Sequence, residues 1–185
     1  HYNKLKQATE DLINELNSQY NKYSEILSSV ESYIREEKGL DITAKTGWGS
    51  EAPTFLREFF EKKNVNFEIP EFKNIGYWFL PRVIIELQII KNCIKQIDDE
   101  DVRNFFWVAF SETVRLVSNR RNGEFKMFRI ATQKLLKYNP DTRSEFINIL
   151  TRNLQKMKDF YDLCDKKEKD TEVFIYDEDT RYLTN

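Results

Sequence analysis

Between Leu5 and Ile34 apolar side chains return at three- and four-residue steps: Leu5, Leu12, Leu16, Tyr20, Tyr23, Leu27, Val30 and Ile34. That spacing draws one apolar stripe down an amphipathic helix and does not fit a strand, whose period is two. At 1.5 Å per residue such a helix is roughly 50 Å long, and a stripe of that length needs a partner helix. Strict heptads are not sustained, so packing inside a bundle is preferred over an oligomerisation coiled coil. A homo-oligomer formed through this helix is the alternative. Gly39 supplies the stop, with Arg35 and Lys38 placed to complement the negative end of the helix dipole.

The rest of the chain repeats the helical pattern. Residues 40–52 read as a loop carrying Gly47, Gly49 and Ser50, and Pro53 then opens a short helix from Thr54 to Lys63. Asn64 to Ile75, with Pro70 inside it, is expected to be extended. Pro81 begins an apolar helix to Ile97 whose buried positions include Val83, Ile84, Leu87, Ile90 and Ile94. The acidic run Asp98 to Asp101 reads as the capped start of the next helix rather than as a metal site. That helix, Val102 to about Asn119, carries Phe105, Phe106, Trp107, Val108, Phe110, Val114 and Val117 around much of its circumference. It is therefore expected to be the central core helix. Asn122-Gly123 favours a tight turn. Asn139-Pro140 starts a last helix to about Lys166, with Phe146, Leu150, Leu154, Met157, Tyr161 and Cys164 as its stripe.

The fold class is mostly all-α: a long helical arm (1–38), a loop, short helix and connector (39–75), a helical core with a basic turn (76–166) and a strand-like tail (167–185). Within the tail, Glu172-Val173-Phe174-Ile175-Tyr176 has no convincing partner strand in the chain, so its sheet is expected elsewhere. His1 in place of an initiator Met points the same way, to a piece of a longer chain.

Composition removes much of the catalytic repertoire. At 185 residues, 40% hydrophobic and 14% aromatic, the chain holds one domain's worth of core. With 29 Lys+Arg against 31 Asp+Glu it has no global bias toward nucleic acid or membrane, and neither a spanning run nor a signal peptide is visible. The single histidine is His1, so Ser-His-Asp and Cys-His arrangements are excluded. Cys93 and Cys164 form no CxxC and are expected to be buried, reduced thiols of an intracellular protein. No GxGxxG or Walker loop is present among the five glycines, and Gly47-Trp48-Gly49 is too short to serve as one.

Charge is concentrated in one place. Arg115, Arg120, Arg121, Lys126 and Arg129 stand against Glu124 alone, a local formal charge of +4. Ser118, Asn119 and Asn122 add hydrogen-bonding groups, and Phe125 and Phe128 are interleaved. Guanidinium groups grip phosphate or guanine bidentately and asparagine pairs with adenine edges, so the turn suits DNA. Cations that merely complement a helix C-terminus would look the same. Trp48, between two glycines, could stack on an unpaired base, whereas Tyr77 and Trp78 read as core or hydrophobic-staple residues.

Several stretches resemble one family. Pro70-Glu71-Phe72-Lys73-Asn74-Ile75-Gly76-Tyr77-Trp78-Phe79 is followed by Pro81-Arg82-Val83-Ile84-Ile85-Glu86-Leu87. Phe105-Phe106-Trp107-Val108-Ala109-Phe110-Ser111-Glu112-Thr113-Val114-Arg115 leads into Ser118-Asn119-Arg120-Arg121-Asn122-Gly123-Glu124-Phe125-Lys126. These are similar to the helical region of bacterial DNA amino-methyltransferases, which modify adenine N6 or cytosine N4 in restriction-modification systems. Asp179-Thr180-Arg181-Tyr182-Leu183 is similar to the strand and turn ahead of their catalytic strand, and Tyr2 to Leu16 to the helix after their cofactor-binding half.

The family's phenylalanine-glycine motif for S-adenosylmethionine is absent here. So is its Pro-Pro catalytic tetrapeptide, since Pro53, Pro70, Pro81 and Pro140 are never adjacent. The resemblance therefore implies a target-recognition fragment with no catalytic, cofactor or metal residues of its own. It would be inactive alone in the bacterial cytoplasm, and S-adenosylmethionine would be bound by the parent enzyme. Its implied partners are double-stranded DNA and a flanking methyltransferase catalytic domain, with no membrane. The implied DNA contacts are Arg115, Ser118, Asn119, Arg120, Arg121, Asn122, Lys126 and Arg129. Two rival readings stand beside this one. One is a structural or protein-interaction module. The other is a clamp in which Arg115 and its neighbours, with Glu112 and Glu124, order the catalytic domain without touching DNA.

Overall fold

Helix α1 (Tyr2–Lys22) buries Thr9, Leu12, Leu16 and Tyr20, and α2 (Ser24–Ser32) buries Ile26 and Val30. This is a computed structural model that describes residues 2–121, 123 and 126–164. Asn122, Glu124, Phe125 and the strand-like segments Glu172–Tyr176 and Asp179–Leu183 lie outside the described residues. The single helix expected from Leu5 to Ile34 is broken at Tyr23, whose backbone sits at φ −98°, ψ 12°. The break changes the phase of the stripe. Burial passes from Tyr20 to Ile26, while Tyr23 and Leu27 are left half-buried, the Tyr23 ring edge-on to Phe67 at 5.2 Å. A π-helical turn, Tyr33–Glu37, then brings Tyr33 and Ile34 inward, and Gly39 ends the run at φ +66°.

Helix α3 (Ala52–Lys62) starts with Pro53 in its first turn, where a missing N–H costs nothing. It buries Leu56, Phe59 and Phe60, and Phe60 stacks on Phe67 of the irregular connector at 4.5 Å. A single turn, α4 (Ile75–Trp78), leads to α5 (Pro81–Lys95) and α6 (Glu100–Val117). After the basic segment come a short turn, α7 (Thr132–Leu135), and α8 (Thr142–Cys164). The acidic run does cap: Asp99 Oδ1 accepts the Val102 N–H at 2.9 Å, and its carboxylate pairs with Lys4.

Helices α1, α5, α6 and α8 alternate in direction. At one end Lys4 of α1 meets Asp99 at the start of α6. At the other, the Arg143 guanidinium of α8 lies over the Tyr20 ring at 5.2 Å, Arg82 of α5 donates to Pro140 O at 2.9 Å, and the Tyr138 hydroxyl donates to Leu116 O at 3.0 Å. The apolar face of α1 is thus taken up inside the chain, by α5 and α8. No helix of the described residues is long and apolar enough to cross a membrane.

The central helix is α5, not α6 as the aromatic content of α6 implies. Eleven residues of α5 are buried, from Pro81 to Ile94, because α1, α2, α6 and α8 all pack on it. Helix α6 buries only Val102, Phe106, Ala109, Thr113 and Val117, and leaves Val108 64% exposed. Aromatic side chains bring area, but the number of neighbouring elements decides burial. Each buried isoleucine of α5 stabilises the fold by roughly 1.5–3 kcal/mol. Cys93 is buried and its thiol pushed up to about 11 by desolvation, whereas Cys164 is exposed. The expectation for Cys164 fails because α8 outruns its neighbours: full burial ends at Leu150, and Phe160 and Leu163 face solvent.

Candidate nucleic-acid interface

Helix α6 ends where the backbone of Ser118 turns extended, at φ −70°, ψ 158°, and the Ser118 hydroxyl donates to Arg115 O at 2.8 Å. From there the chain folds back on itself as a short ribbon. Ile130 N–H donates to Asn119 O at 2.7 Å, Arg121 N–H donates to Phe128 O at 2.8 Å, and Arg120 faces Arg129 in an antiparallel bridge.

The ribbon is anchored from below on the carbonyls of α4. Asn119 N–H donates to Trp78 O at 2.7 Å, and its side-chain Nδ2 donates to Tyr77 O at 3.2 Å. Arg129 Nε donates to the same Tyr77 carbonyl at 2.8 Å and its Nη1 to Ala44 O at 2.7 Å, with the guanidinium 5.0 Å from the Tyr77 ring centre. Burial lowers the Arg129 pKa from its usual value. Asn119 is fully buried, at 0% exposure. Three of the residues that the sequence marks for DNA contact, Ser118, Asn119 and Arg129, are therefore turned into the fold. They position the ribbon rather than face outward from it.

Trp48 is placed in the same way. It is buried, its Nε1–H donates to Phe79 O at 2.8 Å, and its backbone N–H donates to Gly76 O at 3.2 Å. A base-stacking platform is thereby overturned for Trp48. Of its flanking glycines, Gly47 serves close packing instead: a Cβ there would lie 2.6 Å from Tyr77 Cα.

Of the remaining cations, three face solvent. Arg115, Arg121 and Lys126 are exposed and Arg120 is half-buried, while Asn122 lies outside the described residues. Arg115 is 3.8 Å from Glu112, which Arg152 of α8 holds more closely, keeping the Glu112 carboxyl below its usual range. The ribbon also shows Met127 and Phe128, 63% and 49% exposed.

Beside the ribbon runs a groove of about 610 Å³ between α5, α6 and the chain leading into α4. Phe72, Trp78, Phe79, Leu87, Phe110 and Met127 supply its apolar surface, and its charged lining residues are Lys91, Arg115 and Arg120, with no carboxylate. Sequence reasoning missed Lys91, Trp78, Phe110 and Met127 as parts of a site. A signal existed: Ile84, Leu87, Gln88 and Lys91 on α5, and Phe110, Val114 and Arg115 on α6, recur at helical spacing on facing stripes.

Neither a protein-family model nor a solved structure matches the chain. Among curated proteins, the type II methyltransferase M.MvaI of Kocuria varians is 50% identical over 93 residues, covering 50% of this chain and 20% of that protein. The chain thus spans about a fifth of the length of that relative. Over half its length, this chain is related to a type II methyltransferase.

Proposed function

We propose that this chain is the DNA-gripping, target-recognition part of a site-specific restriction-modification methyltransferase of the bacterial cytoplasm. The observation that carries this reading is the ribbon itself, anchored at Asn119 and Arg129 and closed by one antiparallel bridge, with Arg120, Arg121 and Lys126 on it and Arg115 at its base. A ribbon whose root is hydrogen-bonded to α4 holds the backbone of Arg120 and Arg121 in place, which a solvated charged loop does not. The relative's type II methyltransferase identity supports the same assignment. Arg120 and Arg121 contact phosphate or base edges, with Arg115 and Lys126 setting the register along the backbone.

S-adenosylmethionine belongs to the remainder of the parent enzyme. It is a sulfonium cation, and the groove beside the ribbon is lined by cations without a carboxylate, so that groove does not suit it. The chain alone is expected to be inactive as a methyltransferase, because the family's phenylalanine-glycine and Pro-Pro motifs are missing from its sequence.

The test is duplex binding across a salt series. Arg120→Ala/Arg121→Ala is expected to weaken binding and to lower the slope of log K against log salt by about two, from about 0.9 per lost phosphate contact. A variant that binds like the wild type at every salt concentration would remove the assignment. The second reading, a module that docks other protein, is favoured by the exposed Val108, Phe160 and Leu163 on α6 and α8. A complete lack of duplex affinity at low salt selects it over the first.

A further inference from the structure

From Phe125 to Pro140 the sequence carries Lys126, Arg129, Lys134 and Lys137 and no acidic residue. Lys126 and Arg129 belong to the ribbon. Lys134 and Lys137 follow it, on α7 and just past its end, and both are exposed. The backbone between them is a tight turn in which Lys137 N–H donates to Lys134 O at 3.2 Å, so side chains three positions apart stand on one side of it. Like charges placed so repel each other, which folding alone does not require. The next acid along the chain, Asp141, is engaged by the Ser144 N–H and hydroxyl.

The turn is also pinned. At its near end Ile130 N–H donates to Asn119 O, and at its far end Arg82 of α5 donates to Asn139 Oδ1 at 2.7 Å and to Pro140 O. Between these points Leu135 is buried, and the Tyr138 hydroxyl lies 3.0 Å from Leu116 O and 3.1 Å from Ser118 O, where α6 gives way to the ribbon. The two lysines thus stand on a turn fastened to the root of the ribbon itself.

We propose that the turn carrying Lys134 and Lys137 is a second contact of this chain with duplex DNA, taking backbone phosphates beside those that the ribbon meets. Phosphate is the chemistry that fits. An ammonium group on a flexible stem acts as a point charge, and a turn held against α5 and α6 does not enter a groove. Contacts of this kind fix position and carry no sequence information. The ribbon and the turn therefore divide the work: both supply affinity, and only the arginines of the ribbon reach base edges. This inference rests on the DNA-binding reading.

The test titrates the full 185-residue chain across a salt series with two duplexes of unrelated sequence, one AT-rich and one GC-rich. Lys134→Ala/Lys137→Ala is expected to lower the slope of log K against log salt by about two, from about 0.9 per lost phosphate contact, and by the same amount on both duplexes. Lys134→Arg/Lys137→Arg retains the charges and is expected to retain the wild-type slope. Both positions are exposed, so helical circular dichroism should be unchanged in either variant.

If Arg120→Ala/Arg121→Ala lowers the slope while the lysine-to-alanine variant does not, the second contact is overturned and the DNA reading stands. A loss confined to one duplex overturns it as well, because phosphates are common to both. So does an equal loss in the lysine-to-arginine variant, which removes no charge. A chain that binds neither duplex at low salt defeats the DNA reading and takes this inference with it.

Discussion

At the scale of single residues, the side chains whose chemistry reads as recognition divide by where their hydrogen bonds go. Asn119 and Arg129 could each serve a base or a phosphate, but both donate to the Tyr77 carbonyl, and Arg129 also to Ala44 O. A buried guanidinium or amide without such partners is costly, so these bonds hold both residues inward, although Asn119 Oδ1 and Arg129 Nη2 are buried with no hydrogen-bond partner among the described residues. The close approach of residues 44–49 to α4 depends in turn on Gly47. At φ +80° it occupies left-handed space, and any Cβ there meets Tyr77 backbone at 2.6 Å. Gly39 shares the positive φ, +66°, with nothing within 4 Å of its Cβ position. Gly39→Ala should therefore cost only the conformational penalty, about 1–2 kcal/mol. Gly47→Ala adds a backbone clash that must displace either the loop or α4, and should cost at least about 2 kcal/mol more. Urea denaturation of the two variants measures the difference, and equal costs would show that loop and α4 are not tightly seated on each other.

At the scale of elements, helical periodicity was legible wherever a helix has one buried face. The starts of α3, α5 and α6 lie close to the positions that Pro53, Pro81 and the acidic run indicate. What single-chain pattern could not convey was how many neighbours each helix would acquire. Phe105, Trp107 and Phe110 made α6 look central, yet α5, with Glu86 and Gln88 in its stripe, is the helix enclosed on several sides. The break at Tyr23 was hidden for a related reason: its side chain satisfies the stripe in sequence, while its packing partner, Phe67, comes from a distant connector. The candidate site was legible in its charges and illegible in its groove, because facing stripes from α5 and α6 converge only once both helices are packed.

The start of α8 offers a quantitative check on local signals. Asp141 Oδ1 accepts the Ser144 N–H at 3.0 Å and its Oδ2 accepts the Ser144 hydroxyl at 2.7 Å, which holds the carboxyl below its usual range. Asp141→Ala should cost about 1 kcal/mol at neutral pH, the ordinary worth of an N-cap. Because the folded pKa is depressed, the part due to charge is present above about pH 4 and lost as pH falls through the folded value. Asp141→Asn, which keeps an acceptor, should lose less at neutral pH and show no such dependence. Thermal melts at pH 7 and at about pH 2.5 distinguish these outcomes, and equal losses for both variants at pH 7 would mean that charge, not capping geometry, carries the effect.

At the scale of the whole molecule, three of the four alternating helices meet at one buried carboxylate. Glu86 of α5 is 3% exposed, accepts the Thr142 hydroxyl of α8 at 2.6 Å and lies 3.3 Å from Arg82. Desolvation raises its pKa, the Thr142 hydrogen bond and Arg82 oppose that shift, and Asp141 and Glu31 add to it. The Tyr20 hydroxyl of α1, buried with no protein partner, has its own pKa raised by burial and by Glu86. The junction of α1, α5 and α8 therefore carries a charge that the fold tolerates rather than favours. A carboxyl whose folded pKa is raised binds its proton more tightly in the folded state than in the unfolded one. Its contribution to stability is fully present below the unfolded value and is lost as pH rises through the folded value. Glu86→Gln keeps an acceptor for Thr142 and removes the ionisation. Relative to wild type, this variant should gain stability between pH 5 and pH 7, read as urea midpoints at the two values. If the Arg82 ion pair instead dominates, Glu86→Gln will be the weaker protein at pH 7 and will recover as the pH falls. In that event the junction is held together by charge, and the picture of α5 as an apolar axis with one tolerated anion is wrong.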